Sequence, residues 1–188
     1  MTRRSITALA AVAAGAVALA GCASADQPGT AVEATDAASA PSASADATSH
    51  ETGPFDFTAE TVAGGTLEGE SLKYRDVILW FWAPWCPTCL VEGKDYVADA
   101  IAQLPEGVEL VGVAGRITSE EEVDEFLDFT GVGDATHVMD TDGSLWEAFG
   151  VALQPAFLFV NDDGTFERAG AGVTTEDILE QAERLASS

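Results

Sequence analysis

Ten consecutive residues constrain this chain more than any others: Trp80-Phe81-Trp82-Ala83-Pro84-Trp85-Cys86-Pro87-Thr88-Cys89. The run from Val77 to Trp82 contains no polar alternation, the pattern of a strand covered on both faces. It leads through Ala83, Pro84 and Trp85 to two cysteines separated only by Pro87 and Thr88. From Leu90 onward the residues read as helical, so both cysteines sit where a strand ends and a helix begins. The first N–H groups of a helix lack carbonyl partners within it, and with the helix dipole they favour a negative charge. A thiolate on Cys86 would be that charge, with its pKa expected below the value of about 8.5 for an ordinary thiol. Two intervening residues leave the sulfurs one helical turn apart, within bridging distance. These are the parts of a thiol–disulfide exchanger, with an inert structural disulfide as the plainer alternative.

The flanking segments supply a setting. Arg3 and Arg4 precede an apolar run from Ile6 to Leu19, and Leu19-Ala20-Gly21-Cys22 follows at once. That is the layout of an export signal over residues 1–21; a membrane anchor is the alternative, although a span needs about 20 apolar residues. The four residues ending in Cys22 resemble the bacterial lipobox, and the resemblance implies cleavage before Cys22 and diacylation of its thiol. The Arg3-Arg4 pair leaves twin-arginine export open beside the general route. Of the three cysteines, Cys22 would then carry lipid and the other two remain as a pair, in a compartment that permits disulfides. Residues 22–53 contain no aromatic residue and no Lys or Arg. Such a segment cannot bury enough apolar area to offset its ordering entropy and is expected to be a disordered acidic tether. His50 within it reads as solvated. A net charge of −24 with eight Lys and Arg repels phosphate backbones, which argues against a nucleic-acid partner.

Residues 54–188 are long enough for one core. Phe55-Asp56-Phe57 alternates like a short edge strand, and Gly64-Gly65 reads as a hairpin turn. The helix after Cys89 is expected to reach Leu104, where Pro105 and Gly107 stop it. Val108 to Val113 is a second apolar strand. Ser119 and Glu122 begin a capping box, after which Val123, Phe126 and Leu127 recur at helical spacing. His137-Val138-Met139 is a short strand or a loop, and Asp140 to Gly143 a turn leading to a helix through Leu145, Trp146 and Phe149. Ala156 to Val160 and Thr165 to Ala169 form a hairpin about Asn161-Asp162-Asp163-Gly164. A last helix, capped by Thr174 or Thr175, carries Ile178, Leu179, Ala182 and Leu185. This order gives an α/β fold, a mixed sheet with helices on both faces.

Within that frame, Phe81 to Cys89 resembles the thioredoxin superfamily. A CxxC by itself is a weak signal; with the strand before it, the helix after it, Trp85 adjacent and a Pro155-led strand later, it is a strong one. The N-terminal hairpin, the helix near 119–130 and Gln154-Pro155-Ala156-Phe157 resemble the extracytoplasmic TlpA/DsbE branch, most closely its actinobacterial DsbE- and DsbF-type members. The likeness covers residues 55–187 and implies a thioredoxin fold with an N-terminal β-hairpin extension. It implies Cys86 as nucleophile, Cys89 as the thiol that resolves the mixed disulfide, and Pro87 and Thr88 as the supporting dipeptide between them. It implies a cis peptide before Pro155, an ordinary trans-proline being the alternative, with the backbone of Gln154 holding substrate. Trp85 would shield the sulfurs, while Trp80 and Trp82 read as core. Glu92, one turn past Cys89, matches an acidic position of that branch and would relay a proton, or else is an exposed helical glutamate.

Two positions depart from the wider superfamily pattern. Trp80 stands where many thioredoxins bury an aspartate, and Lys94 stands where a helix proline is usual, which suggests a straighter helix. No cofactor and no metal are implied: zinc wants four ligands, and residues 54–188 offer Cys86, Cys89 and His137. Three functions stay open. The first is a lipid-anchored oxidase of exported cysteine-containing proteins, with a membrane redox partner. The second is a reductase in cytochrome c maturation, and the third a thiol-based metallochaperone.

Overall fold

In the computed structural model of the chain, residues 53–188 are described; the export signal at 1–21, Cys22 and the tether up to residue 52 lie outside them. A hairpin comes first, β1 (Thr58–Glu60) antiparallel to β2 (Thr66–Glu68), turning at Gly64-Gly65. Gly64 has φ 80° there, a conformation that favours glycine. The main sheet starts with β3 (Asp76–Trp82), followed by α1 (Pro87–Glu92), a π turn (Gly93–Val97) and α2 (Ala98–Ile101). Then come β4 (Val108–Gly115), α3 (Glu120–Thr130), β5 (Thr136–Asp140) and α4 (Ser144–Ala148). The chain ends with β6 (Ala156–Val160), β7 (Phe166–Ala169) and α5 (Thr175–Leu185). The five strands lie in the order β5-β4-β3-β6-β7. β3 is central, parallel to β4 and antiparallel to β6.

Successive residues of a strand face opposite sides, and β3 uses both. Ile78, Trp80 and Trp82 join Val97 and Ala100, Phe126 of α3 and Ile178 of α5 in one core. Val77, Leu79 and Phe81 join Ala59, Leu145, Trp146 and Phe149 in the other. Burial of each of the larger aliphatic and phenylalanine side chains among these contributes about 1.5–3 kcal/mol. A slip of one residue would send Trp80 and Trp82 to the face filled by Val77, Leu79 and Phe81, so the register of β3 is strongly specified.

Three local features differ from expectation or resolve it. Phe55 and Phe57 are not in a strand: both rings pack edge-on against Phe149, and the Phe57 carbonyl accepts the Gly69 N–H at 2.8 Å. Their alternation serves packing against the sheet's second face rather than strand pairing. Residues 136–140 form a strand, the form of the two that was open for His137-Val138-Met139. The cysteine-bearing helix carries a π turn from Gly93 that the sequence reading did not include. A Cβ on Gly93 would lie 2.9 Å from Thr130 Cγ2 and 3.1 Å from Trp80 Cη2, so a side chain at 93 would crowd α3 and the core.

Candidate active site

Cys86 is the residue that caps α1. Its backbone is extended (φ −83°, ψ 112°), and Pro87 occupies the first helical position, where the missing N–H costs nothing. The Cys86 sulfur accepts a hydrogen bond from the Cys89 backbone N–H at 3.2 Å, the place a serine or aspartate oxygen takes in an ordinary N-cap. Both cysteines are free thiols. Cys86 is 5% exposed and Cys89 is fully buried. Burial first, and then the hydrogen bond with the Cys86 side chain, pushes the Cys89 thiol far above the ordinary range; the nearby Glu92 charge adds to the effect.

The other expected residues gather at the same end of the sheet. The Gln154–Pro155 peptide is cis. Phe81 pairs with Ala156, so Pro155, one residue earlier, stands beside the end of β3, where the chain leaves for Cys86. Trp85 is 50% exposed, and its indole N–H donates to the Arg116 carbonyl at 3.0 Å, just beyond β4. Pro87 and Thr88 are exposed on the first turn of α1. Trp80 and Trp82 are entirely buried.

Glu92 is not an exposed glutamate. It is 2% exposed, and its Oε1 accepts the Gly172 N–H at 2.6 Å. Its Oε2 has no hydrogen-bond partner among the described residues. Burial raises its carboxyl above the ordinary range, and the N–H groups of Gly172 and Val173 oppose that rise. Glu92 lies three residues past Cys89, on the same helical face. The sequence reading missed Gly172. Its φ of 95° favours glycine, and the Gly170-Ala171-Gly172 run before the last helix was the available signal.

A buried strand that delivers two thiols to a helix N-terminus, beside a cis-proline in a β5-β4-β3-β6-β7 sheet, defines a thioredoxin-fold dithiol protein. The chain belongs to the Redoxin family, whose model matches residues 23–184. It is 37% identical over 113 residues to the soluble secreted antigen MPT53 of Mycobacterium tuberculosis strain H37Rv, covering 58% of this chain and 61% of that one. It is 31% identical over 125 residues to the thiol-disulfide oxidoreductase ResA of Bacillus subtilis strain 168, covering 65% of this chain and 68% of the relative. The solved structure of MTB DsbF, in mixed oxidized and reduced forms, matches with a TM-score of 0.65 at 36% identity. That match covers 70% of this chain and 96% of that one. The fold is the one the sequence resemblance implied, with the small hairpin sheet ahead of it.

Proposed function

We propose that the chain is an extracytoplasmic thiol–disulfide oxidoreductase that donates its Cys86–Cys89 disulfide to exported cysteine-containing proteins. The observation that carries exchange at this pair is the inequality of its two thiols, and the donating direction rests on the resemblance to actinobacterial DsbE- and DsbF-type proteins. Cys86 caps the helix at the edge of the surface beside exposed Trp85, while Cys89 is enclosed and its thiol is held protonated. In the oxidising direction a client thiolate attacks the Cys86 sulfur. The Cys86–Cys89 bond breaks, its electron pair goes to Cys89, and a mixed disulfide joins the client to Cys86. A second client thiolate then attacks the client sulfur of that bond and releases Cys86. The client has lost two electrons and two protons, and the pair has gained them as two thiols.

A leaving sulfur with a high pKa departs slowly, so Cys89 needs a proton as the bond breaks. Glu92 is one turn away with a carboxyl raised by burial, suited to give that proton and, in the reverse reaction, to take it. The backbone of Gln154 pairs with the client segment as an added strand, and Trp85 covers the sulfurs. A membrane redox partner returns the pair to its disulfide. Lipid on Cys22 holds the protein at the outer face of the cytoplasmic membrane. The sequence Leu19-Ala20-Gly21-Cys22 supports the anchor, and the secreted character in the name of MPT53 supports export.

The test uses the oxidised full chain and reduced ribonuclease. Disulfide formation should stop with Cys86→Ser. Cys89→Ser, whose lone Cys86 thiol attacks an existing disulfide but has no partner thiol to resolve the product, should accumulate mixed disulfides when it is given disulfide-bonded ribonuclease instead. A reduction potential of about −120 to −180 mV, the range of strong donors, fits donation, whereas about −270 mV or lower, as in thioredoxin, reverses the direction. Full activity of Cys86→Ser removes the enzymatic reading altogether.

A further inference from the structure

Beside the thiols lies a groove of about 400 Å³ that the exchange chemistry itself does not require. Pro84, Trp85 and Leu90 form one wall, the residues just before Cys86 and just after Cys89. The opposite wall is a face of α3, with Glu122, Glu125, Phe126 and Phe129 at the i, i+3, i+4, i+7 spacing of one helical stripe. Phe126 is anchored inward, its ring stacked 3.9 Å from that of Trp82. Phe129 is 57% exposed, so two large aromatic rings, Phe129 and Trp85, border the groove on opposite sides. Exposed apolar surface of this kind, rimmed by charge, marks an interaction site.

We propose that this groove binds the client polypeptide next to its reactive cysteine, and that it selects segments with a large apolar side chain beside a lysine or arginine. The proposal rests on the exchange reading above and names its substrate class. The apolar residue packs between Trp85 and Phe129, as aromatic anchors do at interface centres. The cation meets Glu122 and Glu125. The Glu122 carboxylate is fixed in place by a hydrogen bond from Thr118 Oγ1 at 2.6 Å. Lys94 Nζ already stands 4.5 Å from the Phe129 centroid, a cation–π contact, so that ring face is taken by a cation of the chain itself and the client's cation is held by Glu122 and Glu125 alone. Arg116 does not oppose a cationic client here, because its guanidinium turns onto the Trp146 ring. An extended chain advances about 3.3 Å per residue, so the selected residues lie within a few positions of the client cysteine. Two other occupants fit less well. The chain's own segment at 22–53 has no aromatic residue and no Lys or Arg. A second copy would bring another acidic surface, 32 Asp and Glu against 8 Lys and Arg, toward Glu122 and Glu125.

The experiment follows the reduced full chain with two glutathionylated cysteine peptides, one with Phe and Lys flanking the cysteine and one with Ser and Glu. In each reaction Cys86 attacks the peptide sulfur and glutathione leaves; Cys89 then displaces the peptide thiol, so the protein dithiol supplies both electrons. Second-order rates are divided by the rate with 2-hydroxyethyl disulfide, a small uncharged disulfide. The Phe-Lys peptide should be favoured about tenfold, or about 1.4 kcal/mol. The preference should fall below about twofold in Glu122→Gln/Glu125→Gln and shrink with added salt, as exposed charge pairs do. Phe129→Ser should lower it separately. Equal rates for the two peptides, or a preference that survives both variants, overturns the proposal. A dimer that Phe129→Ser dissolves would assign the groove to a second copy and overturns it as well. Absence of reaction with 2-hydroxyethyl disulfide would instead remove the exchange reading on which the proposal stands.

Discussion

Gly112 of β4 offers a quantitative test of how the core holds the strand that carries Cys86. It pairs with Trp80 in the parallel register. A Cβ built there would overlap His137 Nδ1, reach 2.5 Å from His137 Cε1 and 2.9 Å from Trp82 Nε1. His137 cannot swing aside easily, because its Nε2 is tied to the Val132 carbonyl at 2.9 Å and its ring lies edge-on to both Trp80 and Trp82. Inserting a methyl into a filled core costs about 1–3 kcal/mol or more, and contacts this short put Gly112→Ala near the top, at about 3. For about 135 folded residues that lowers Tm by about 10 °C. His137→Ala alone removes a buried ring and leaves a cavity, costing about 2–3 kcal/mol by comparison with other large-to-small changes. If the two effects were independent, the double variant would lose about 5–6 kcal/mol. The two shortest contacts need both the methyl and the imidazole, and only the 2.9 Å approach to Trp82 Nε1 survives without it, so Gly112→Ala/His137→Ala should lose only a little more than His137→Ala alone. The coupling is then about 2 kcal/mol in the double variant's favour. Thermal and urea unfolding of the four proteins measure this cycle. Simple additivity, or a loss below about 0.5 kcal/mol for Gly112→Ala, would refute the packing argument.

Two further outcomes follow from the buried ionisable groups. Because burial holds the Cys89 thiol protonated, alkylation of the reduced protein at pH 8, read by mass spectrometry, should label Cys86 and spare Cys89 until strongly alkaline pH; equal labelling at pH 8 would contradict that burial. Glu92, whose carboxyl is raised by burial, binds its proton more tightly when folded, so its ionisation weakens the fold as pH rises from about 4.5 through its folded pKa. Glu92→Gln should therefore gain stability over the parent at neutral pH and lose that advantage near pH 4, while its turnover falls because Cys89 has lost its proton donor; an advantage independent of pH would refute the linkage.

The strands were the most legible part of the chain. Val77 to Trp82 and Ala156 to Val160 are short apolar runs rich in β-branched and aromatic residues, which decides for strands over buried helix. The placement of Cys86 and Cys89 where a strand gives way to a helix was legible from their spacing and flanks, while their roles came from the family resemblance. Phe55-Asp56-Phe57 misled because alternation reports that two side chains share a face, and here that face packs on Phe149 without a partner strand. The π turn at Gly93–Val97 was invisible because nothing in the apolar spacing of residues 90–101 marks the switch, and the close approach of Gly93 to Thr130 and Trp80 is a tertiary contact with no local signature. The burial of Glu92 depended on Gly172, 80 residues away. Phe129 and Glu125 were passed over for a related reason: helical periodicity picks out the inward stripe of α3, while the groove uses its margin.

The π turn also bears on chain length. A π turn is an α-helix that has taken in one extra residue, so α1 and α2 each keep their own face toward the core while the chain between them is one residue longer than a continuous α-helix would need. Removal of a single residue inside Gly93–Val97 would leave both flanking faces in phase, whereas insertion or removal of one residue elsewhere in either helix would rotate Cys89 and Glu92 by about 100° from Val97 and Ala100. The segment just behind the thiols is therefore where this helix can change length without turning its reactive face away.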